Sequence, residues 1–332
     1  MFKLITLALI GVSIISAEDT LISPAQKASA FETFYEGWQA QNNEHYKKAM
    51  GLYEEAAKQG CSAAQFHIAN MYEDGLGVVQ DYKEAAKEYM PIAKQGYLKA
   101  QLSLAQMYEE GRGVSQDYTK AFYWYKRAAE QGELSAQLNT ARMYEEAIGV
   151  KKSLVKSVAL YKEAIKQGSL EAMTSLSLIY INENEMKKYF NRGKELLLRS
   201  AQKGDKRAQY LLSQYYFDDK VFRKDIEFAL HWLEKASKQG CFKAQYQLGR
   251  LYATAQHVKR DYQKAVHYLN LASIQGYVNA QYDLGLMYYE GLGVKADKQK
   301  TYEYWSKASA QHDKDAQHNL EILCKTTPSV CK

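Results

Sequence analysis

The chain of 332 residues contains only three prolines, and this scarcity favours helices. Proline interrupts a helix because it lacks an amide hydrogen and clashes with the preceding turn. Hydrophobic residues make up 46% of the chain, which suits an ordered structure. Pro91 is the exception, since it falls inside a predicted helix. It should bend that helix, either as a tolerated kink or as a hinge.

The chain also lacks a long apolar run after residue 17, so we expect no membrane span in the mature protein. Residues 1–17 have a single positive charge at Lys3, an apolar stretch from Leu4 to Ile15 and two small residues before Glu18. This pattern is typical of a cleaved secretory signal peptide, and the stretch is short for a spanning helix. The alternatives are an uncleaved anchor or a buried N-terminal helix. We predict an exported protein, periplasmic or secreted, with a flexible leader at 18–24.

No block of one charge sign stands out. The 44 Lys and Arg residues are interleaved with 38 Asp and Glu residues, for a formal net charge of +6. Such interleaving is typical of solvated faces, so we expect no nucleic-acid partner.

Motifs for catalysis and cofactor binding are missing as well. There is no H-E-x-x-H, P-loop or G-x-S-x-G sequence. Ser153 and Lys156 match the S-x-x-K motif of β-lactamases, but no S-D-N or K-T-G partner accompanies them. His67 and His318 are isolated, as expected of surface or packing residues. We therefore predict no catalytic residue, no cofactor and no metal.

What the chain does contain is a repeat of 36 residues. Its mark is a Gly four residues before an Ala, and an eighth copy has His312 before Ala316. The pairs are Gly60/Ala64, Gly96/Ala100, Gly132/Ala136, Gly168/Ala172, Gly204/Ala208, Gly240/Ala244 and Gly276/Ala280. A fixed period of this length indicates stacked supersecondary units.

Each repeat has the pattern of a helical hairpin. The first helix, from Ala100 to about Glu110 in the clearest copy, has apolar residues at helical spacing. Gly111 to Val114 ends it, and Asp117 is a candidate N-cap of the second helix. The second helix should bury one face, formed by Tyr118, Ala121, Trp124, Tyr125 and Ala128.

Comparison of the copies separates constant from variable positions. The position of Ala64 is Ala in every copy, which indicates close helix contact. The position of Tyr72 is Tyr in seven copies and Cys324 in the last, and we interpret it as core. The Gly-x-Gly turn is lost at 147–149, 183–185, 219–221 and 255–257. Non-Gly residues adopt positive φ at a cost, so these turns should be built differently or be more mobile, and about 182–257 should be least regular.

The recurring pattern A-Q-x-x-L-A-x-M-Y-E-x-G-x-G-V-x-x-D-Y-x-K-A-x-x-W-Y-x-K-A-A-x-Q-G resembles the Sel-1-like repeat family, which is related to tetratricopeptide repeats. The resemblance covers roughly Tyr46 to Leu323. It implies an all-α, right-handed α-solenoid whose first helices line a concave surface. It also implies a non-catalytic adaptor that binds a protein or peptide partner. β-Lactam binding or hydrolysis, described for some secreted relatives, and a host-facing virulence role are the alternatives.

This resemblance sets the expected organisation. Residues 25–59 form an atypical N-terminal capping repeat, 60–311 form seven repeats, and 312–332 form a truncated last repeat. The oligomeric state is not encoded in any pattern of the sequence.

Four cysteines remain to be explained. In an exported protein, Cys324 and Cys331 can form a disulfide that closes the C-terminal tail, with thiols or metal ligands as the alternative. Cys61 and Cys241 share a repeat position five repeats apart, too far to bridge. They are either inert thiols or sites of an intermolecular bridge.

One position on the first helix varies in chemistry along the chain. It holds Asn70, Gln106, Arg142, Leu178, Gln214, Arg250, Leu286 and Ile322. Arg and amide side chains can hold a peptide backbone or its carboxylates. We take the polar members Asn70, Gln106, Arg142, Gln214 and Arg250 as a candidate partner-binding groove, with a merely hydrated groove as the alternative.

Overall fold

The computed structural model describes residues 24–331, and everything within that range is helix or connection. The predicted signal peptide and most of the leader therefore lie outside the described residues. Within residues 24–331, two short 3₁₀ helices occur, at Asn184–Tyr189 and Pro328–Val330. The α-helices, which we number α1 to α17, are Pro24–Asn42, Tyr46–Lys58, Ser62–Asp74, Tyr82–Lys94, Leu98–Glu110, Tyr118–Glu130, Leu134–Glu146, Leu154–Lys166, Leu170–Asn182, Phe190–Gln202, Lys206–Phe217, Ile226–Lys238, Phe242–Thr254, Tyr262–Ile274, Val278–Glu290, Lys298–Ser309 and Lys314–Thr326.

From α3 onward, the odd-numbered helices are the first helices of the repeats and the even-numbered ones are the second helices. First helices begin every 36 residues from Ser62 to Lys314. The all-α solenoid of helical hairpins predicted from the repeat is thus confirmed. By internal contacts the chain divides at Ala172 and Met173 into unit 1, described over 24–172, and unit 2, described over 173–331.

Most of the second helices begin after a residue whose side chain caps the helix. Asp81 and Asp117 in unit 1 accept hydrogen bonds from backbone N–H groups of the first turn, and Asp225, Asp261 and Asp297 do so in unit 2. Such a cap contributes about 1 kcal/mol to helix stability. The backbone N–H of Asp117 also donates to the Tyr108 carbonyl at 2.9 Å, which locks the turn. The predicted cap is confirmed.

Small residues lie where helices approach each other. The eight alanines at the Ala64 position are all fully buried. A larger side chain there would overpack the helix contact, at a cost of about 1–3 kcal/mol. Tyr118, which we expected to be buried, is 43% exposed because it is the first residue of its helix.

Consecutive repeats are joined by pairs of glutamines, which we call glutamine clasps. Gln131 Nε2 donates to Gln101 Oε1 at 2.8 Å and to the Gly96 carbonyl at 3.0 Å. Gln101 Nε2 in turn donates to the Ala93 carbonyl at 3.0 Å. The other clasps are Gln167–Gln137 in unit 1 and Gln239–Gln209, Gln275–Gln245 and Gln311–Gln281 in unit 2. The clasps explain why Gln follows the constant Ala and precedes the constant Gly.

Two of the degenerate turns keep the regular geometry, contrary to our expectation. Ala147 and Ala255 end their helices in the left-handed conformation, with φ of 60° and 62°, as Gly111 does at 73°. Alanine adopts this conformation at a cost of about 1–2 kcal/mol. At Ala147 the backbone N–H also donates to the Met143 carbonyl, as the Gly111 N–H does to the Met107 carbonyl.

The other two degenerate turns are built differently, as expected. At 184–189 a 3₁₀ helix replaces the Gly-x-Gly turn, and Tyr189 takes the N-cap place without a side-chain cap. At the next turn α11 ends at Phe217, and Asp218 after it has extended backbone. Pro91 is accommodated within α4, which continues to Lys94.

Candidate functional site

The predicted groove position lies on the solvent-facing side of the first helices, which we call the first-helix surface. Gln106 and Arg250 are exposed there. Asn70, Arg142 and Gln214 are half-buried. The side chains are spaced by the repeat and carried on packed helices, an arrangement that holds recognition groups in fixed places.

In unit 1, each polar groove residue contacts a neighbour. Asn70 Oδ1 lies 2.5 Å from the Tyr89 hydroxyl oxygen, and Gln106 donates to Glu110 at 2.9 Å. Arg142 donates to Glu109 of the preceding first helix at 2.7 Å and to Glu146 at 3.5 Å. Arg142 therefore joins two repeats, and only part of its guanidinium faces solvent.

A row of carboxylates lies beside the groove residues of unit 1. Glu73, Glu109 and Glu145 accept hydrogen bonds from Tyr89, Tyr125 and Tyr161 at 2.7, 2.8 and 3.0 Å. Burial, reinforced by the adjacent carboxylate, raises the pKa of Tyr89 and of Tyr125 above the usual range. The hydroxyls therefore stay protonated and donate. Arg112 approaches Glu73 at 3.2 Å and adds a cation to the row.

In unit 2 this row of hydroxyl–carboxylate pairs is replaced by aliphatic and aromatic residues. The hydroxyl donors give way to Leu197, Leu233, Leu269 and Trp305, and the carboxylates to Ile181, Phe217, Ala253 and Tyr289. Both members of each pair change together, which avoids a buried hydroxyl or carboxylate without a partner. The two units thus present chemically different first-helix surfaces.

Tyrosines and amides characterise the first-helix surface of unit 2. Tyr210, Tyr246 and Tyr282 occupy one half-buried position in successive repeats. Arg250 donates to the Tyr246 hydroxyl at 3.4 Å, and Asn319 to the Tyr282 hydroxyl at 3.2 Å. Gln214 hydrogen-bonds to Gln247. These groups offer aromatic faces and spare donors side by side.

Asp283 lies within this group of side chains. Burial raises the pKa of its carboxyl, and the charge of Arg250 and a hydrogen bond from Tyr246 act against that rise. The Arg250 pKa is in turn raised, chiefly by its contact with Tyr246. Arg250 therefore keeps its positive charge on an exposed part of the surface.

The S-x-x-K match is explained by helix capping. Ser153 takes the N-cap place of the aspartates, and its Oγ accepts from the Lys156 N–H at 3.5 Å. Lys156 Nζ lies 5.2 Å from the centre of the Tyr144 ring, and Lys120 has the same relation to Tyr108. The motif is therefore the repeat's own D-x-x-K pattern with Ser in place of Asp.

The cysteines divide as the sequence suggested. Cys324 and Cys331 form a disulfide that joins the end of α17 to the 3₁₀ turn after it. Cys61 is buried and Cys241 half-buried, both as thiols. Among the described residues, no group of His, Cys, Asp and Glu side chains could hold a metal ion. Across 24–331, no helix is long and apolar enough to cross a membrane.

Sequence reasoning missed the tyrosine–carboxylate pairs. A signal was present, because Tyr53, Tyr89, Tyr125 and Tyr161 form a column of their own. Tyr is replaced at that repeat position from Leu197 onward, and Glu is replaced at the position of Glu145 from Ile181 onward. Joint change at two positions indicates contact, and comparing the repeats of one chain would have revealed it.

Comparison with known proteins agrees with this architecture. The family described as Sel1 repeat matches at residues 29–61, 62–90, 98–133, 134–169, 206–241, 242–277 and 278–313. The matches include the segment that we predicted as an atypical cap. They leave out 170–205, which contains the 3₁₀ turn. The comparison with curated proteins finds no match.

Solved structures include similar proteins. A Sel1 repeat protein from Oxalobacter formigenes is 28% identical, with a TM-score of 0.78, over 90% of this chain and 88% of its own. The protective antigen c5321 of uropathogenic Escherichia coli is 26% identical, over 91% of this chain and 81% of its own, with a TM-score of 0.40. The immunity protein PA5088 of Pseudomonas aeruginosa is 20% identical, over 64% and 80%, with a TM-score of 0.48. Only the first of these scores supports a shared fold over the length of the chain. With family matches over most of its length and that fold in common, the chain belongs to the Sel1 repeat family.

Proposed function

We propose that the protein is an adaptor that binds a protein or peptide partner through its first-helix surface, without catalysis. Family membership supports a scaffold that mediates protein interactions. The observation that carries the proposal is the variable position itself. Asn70, Gln106 and Arg142 in unit 1, and Gln214 and Arg250 in unit 2, differ in chemistry while the helices beneath them keep one geometry.

The contacts of these residues suit recognition. Each groove side chain is held by a neighbour, so little rotamer entropy is lost on binding. Exposed donors remain on Gln106 and Arg250, which can bind backbone carbonyls or carboxylates of an extended segment. The alternative, β-lactam chemistry, has lost its one residue signal because Ser153 caps a helix.

The experiment is site-specific photocrosslinking in the expressing cell. A photoreactive amino acid is placed at Gln106 or Arg250, both exposed on first helices. Matched controls carry it at Lys162 or Glu234, exposed on second helices. We expect one crosslinked protein from the groove positions and not from the controls. Equal crosslinking from all four positions, or from the controls alone, would show that the first-helix surface is not the binding surface.

We also infer that the protein functions outside the cytoplasm, as the Cys324–Cys331 disulfide supports. Mass spectrometry of the mature chain tests this inference, since the expected N-terminus is Glu18. A full-length chain with reduced Cys324 and Cys331 would contradict it.

A further inference from the structure

The irregular part of unit 2 contains a cavity that the family pattern does not provide. Its volume is about 490 Å³, within the range of roughly 300–1,000 Å³ typical of small-molecule pockets. It is formed by the end of α9, the 3₁₀ helix, the start of α10 and the loop after α11. It lies where the 3₁₀ helix takes the place of the Gly-x-Gly turn.

The stretch of chain that forms this cavity is rich in positive charge. Eleven Lys and Arg residues and six Asp and Glu residues lie between Glu183 and Lys224, so this stretch holds +5 of the chain's formal +6. The expectation of evenly interleaved charge was therefore wrong for this stretch. A concentration of positive charge produces a positive local potential, and this potential attracts an anion.

Three of these lysines line the cavity. Lys187, Lys188 and Lys220 are exposed at its rim, and Glu183 is the one carboxylate among its lining residues. Lys220 has a salt bridge of 3.2 Å to Asp218, and Lys188 Nζ lies 5.0 Å from the Tyr189 ring centre. Two of the three lysines thus have a contact of their own, and all three line the cavity that a ligand would occupy.

The floor of the cavity has the opposite character. Ile181, Phe190 and Val221 are half-buried and line it with apolar surface. A bare inorganic anion would leave this surface unused. An apolar group attached to the anion would cover it and gain the hydrophobic contribution.

We propose that this cavity binds a small organic anion. Lys187, Lys188 and Lys220 hold its acidic group, and Ile181, Phe190 and Val221 contact its apolar part. Either a free amphiphilic acid or the C-terminal residue of a peptide has this chemistry. The site goes beyond the proposed function, because it does not use the candidate groove residues.

Calorimetric titration of the full chain tests the proposal, with octanoate as the probe for a free acid. A second probe is N-acetyl-Ala-Ala-Leu with a free carboxylate, and its C-terminal amide is the uncharged comparison. We expect at least one of the two acids to bind, and the amide to bind at least about tenfold more weakly, because charge-assisted contacts are lost. Binding of the peptide acid alone would assign the site to peptide C-termini. Binding of octanoate alone would assign it to free acids.

The variant Lys187→Gln/Lys188→Gln/Lys220→Gln should weaken binding of the acid by about tenfold or more. The matched control, Lys243→Gln/Lys259→Gln/Lys295→Gln, removes three exposed lysines elsewhere in unit 2 and should bind as the wild type does. Equal weakening in both variants would show that only the net charge of the protein matters, and it would contradict the proposed binding site. The proposal also fails if neither acid binds at millimolar concentration, or if inorganic phosphate competes as strongly as octanoate binds.

Discussion

At the scale of single residues, conformation and protonation follow from what surrounds the residue. Ala147 and Ala255 adopt positive φ, at 60° and 62°, although alanine is unfavourable in this conformation. His257, at the position of the second glycine of the Gly-x-Gly turn, also has positive φ. Its ring stacks on Phe217, with ring centres 5.8 Å apart. Local propensity is therefore overridden at these positions by the packed helices on either side.

His67 shows the same dependence in its protonation. It lies against Phe34 and Tyr53, with ring centres 5.4 and 5.0 Å away, and its Nδ1 is 3.2 Å from Gln41 Oε1. Burial, with a smaller effect from the charge of Lys99, lowers the pKa of His67 to about 4. The imidazole is therefore neutral in the folded protein at pH 7.

This depressed pKa predicts a loss of stability in acid. The unfolded chain, with a histidine pKa of about 6.5, binds the proton more readily than the folded chain does. The contribution is therefore complete above pH 6.5 and decreases as the pH falls towards 4. Between pH 7 and pH 4.5 the free energy of unfolding should fall by about 2–3 kcal/mol more in the wild type than in His67→Asn.

Urea unfolding at both pH values, followed by circular dichroism, measures this difference. Asn is a suitable replacement because Asn139 occupies the same repeat position. Parallel pH dependence in the two proteins would show that His67 is not the group responsible.

At the scale of elements, the glutamine clasp is the contact that joins one hairpin to the next. Gln101 is 1% exposed, so its Oε1 depends on Gln131 for a hydrogen bond. At one repeat junction the glutamine clasp is absent, because Met173 and Lys203 occupy the positions of Gln101 and Gln131. There Thr174 donates to Asp205 at 2.6 Å and hydrogen-bonds to Ser200 at 2.8 Å.

This comparison predicts coupling between the clasp positions. Gln131→Ala should destabilise the protein by about 1–3 kcal/mol, because it leaves a buried acceptor without a donor. In the double variant Gln101→Met/Gln131→Lys, which copies Met173 and Lys203, part of that cost should be absent. A double-mutant cycle from urea unfolding measures the coupling. Strictly additive effects of Gln101→Met and Gln131→Lys would contradict the clasp.

At the scale of the whole molecule, stability is built from neighbouring contacts. Each repeat of a solenoid contacts only the repeats beside it, so a change at one end should remain there. The Cys324–Cys331 disulfide closes a short loop at the end of unit 2. For a loop of this length, a contribution of about 2–3 kcal/mol is expected.

Reduction of this disulfide should therefore act locally. We expect faster amide hydrogen exchange at 323–331 and unchanged exchange in α3 to α6 of unit 1. Hydrogen exchange with mass spectrometry, with Cys324→Ser/Cys331→Ser as the second form, measures both regions. Loss of protection in α3 to α6 would show cooperativity across the whole chain instead of nearest-neighbour coupling.

The period of 36 residues, the pairing of helices within each repeat and the caps at Asp117 and its equivalents could all be predicted from the sequence. They follow from local chemistry, since glycine, aspartate and apolar spacing act within one or two helical turns. The candidate groove position could be located for the same reason, because a repeat fixes which side chains share a face. Its function stays a prediction.

The sequence by itself thus determined the repeating unit, because each unit repeats the same local signals. Only the tertiary structure decided which side chains meet between units of the repeat. The Gln101–Gln131 clasp, the Tyr125–Glu109 pair and the cavity at Lys187 and Lys220 join residues 16 to 33 positions apart. Such contacts depend on how hairpins pack against each other, and packing depends on shape and burial that no local pattern records.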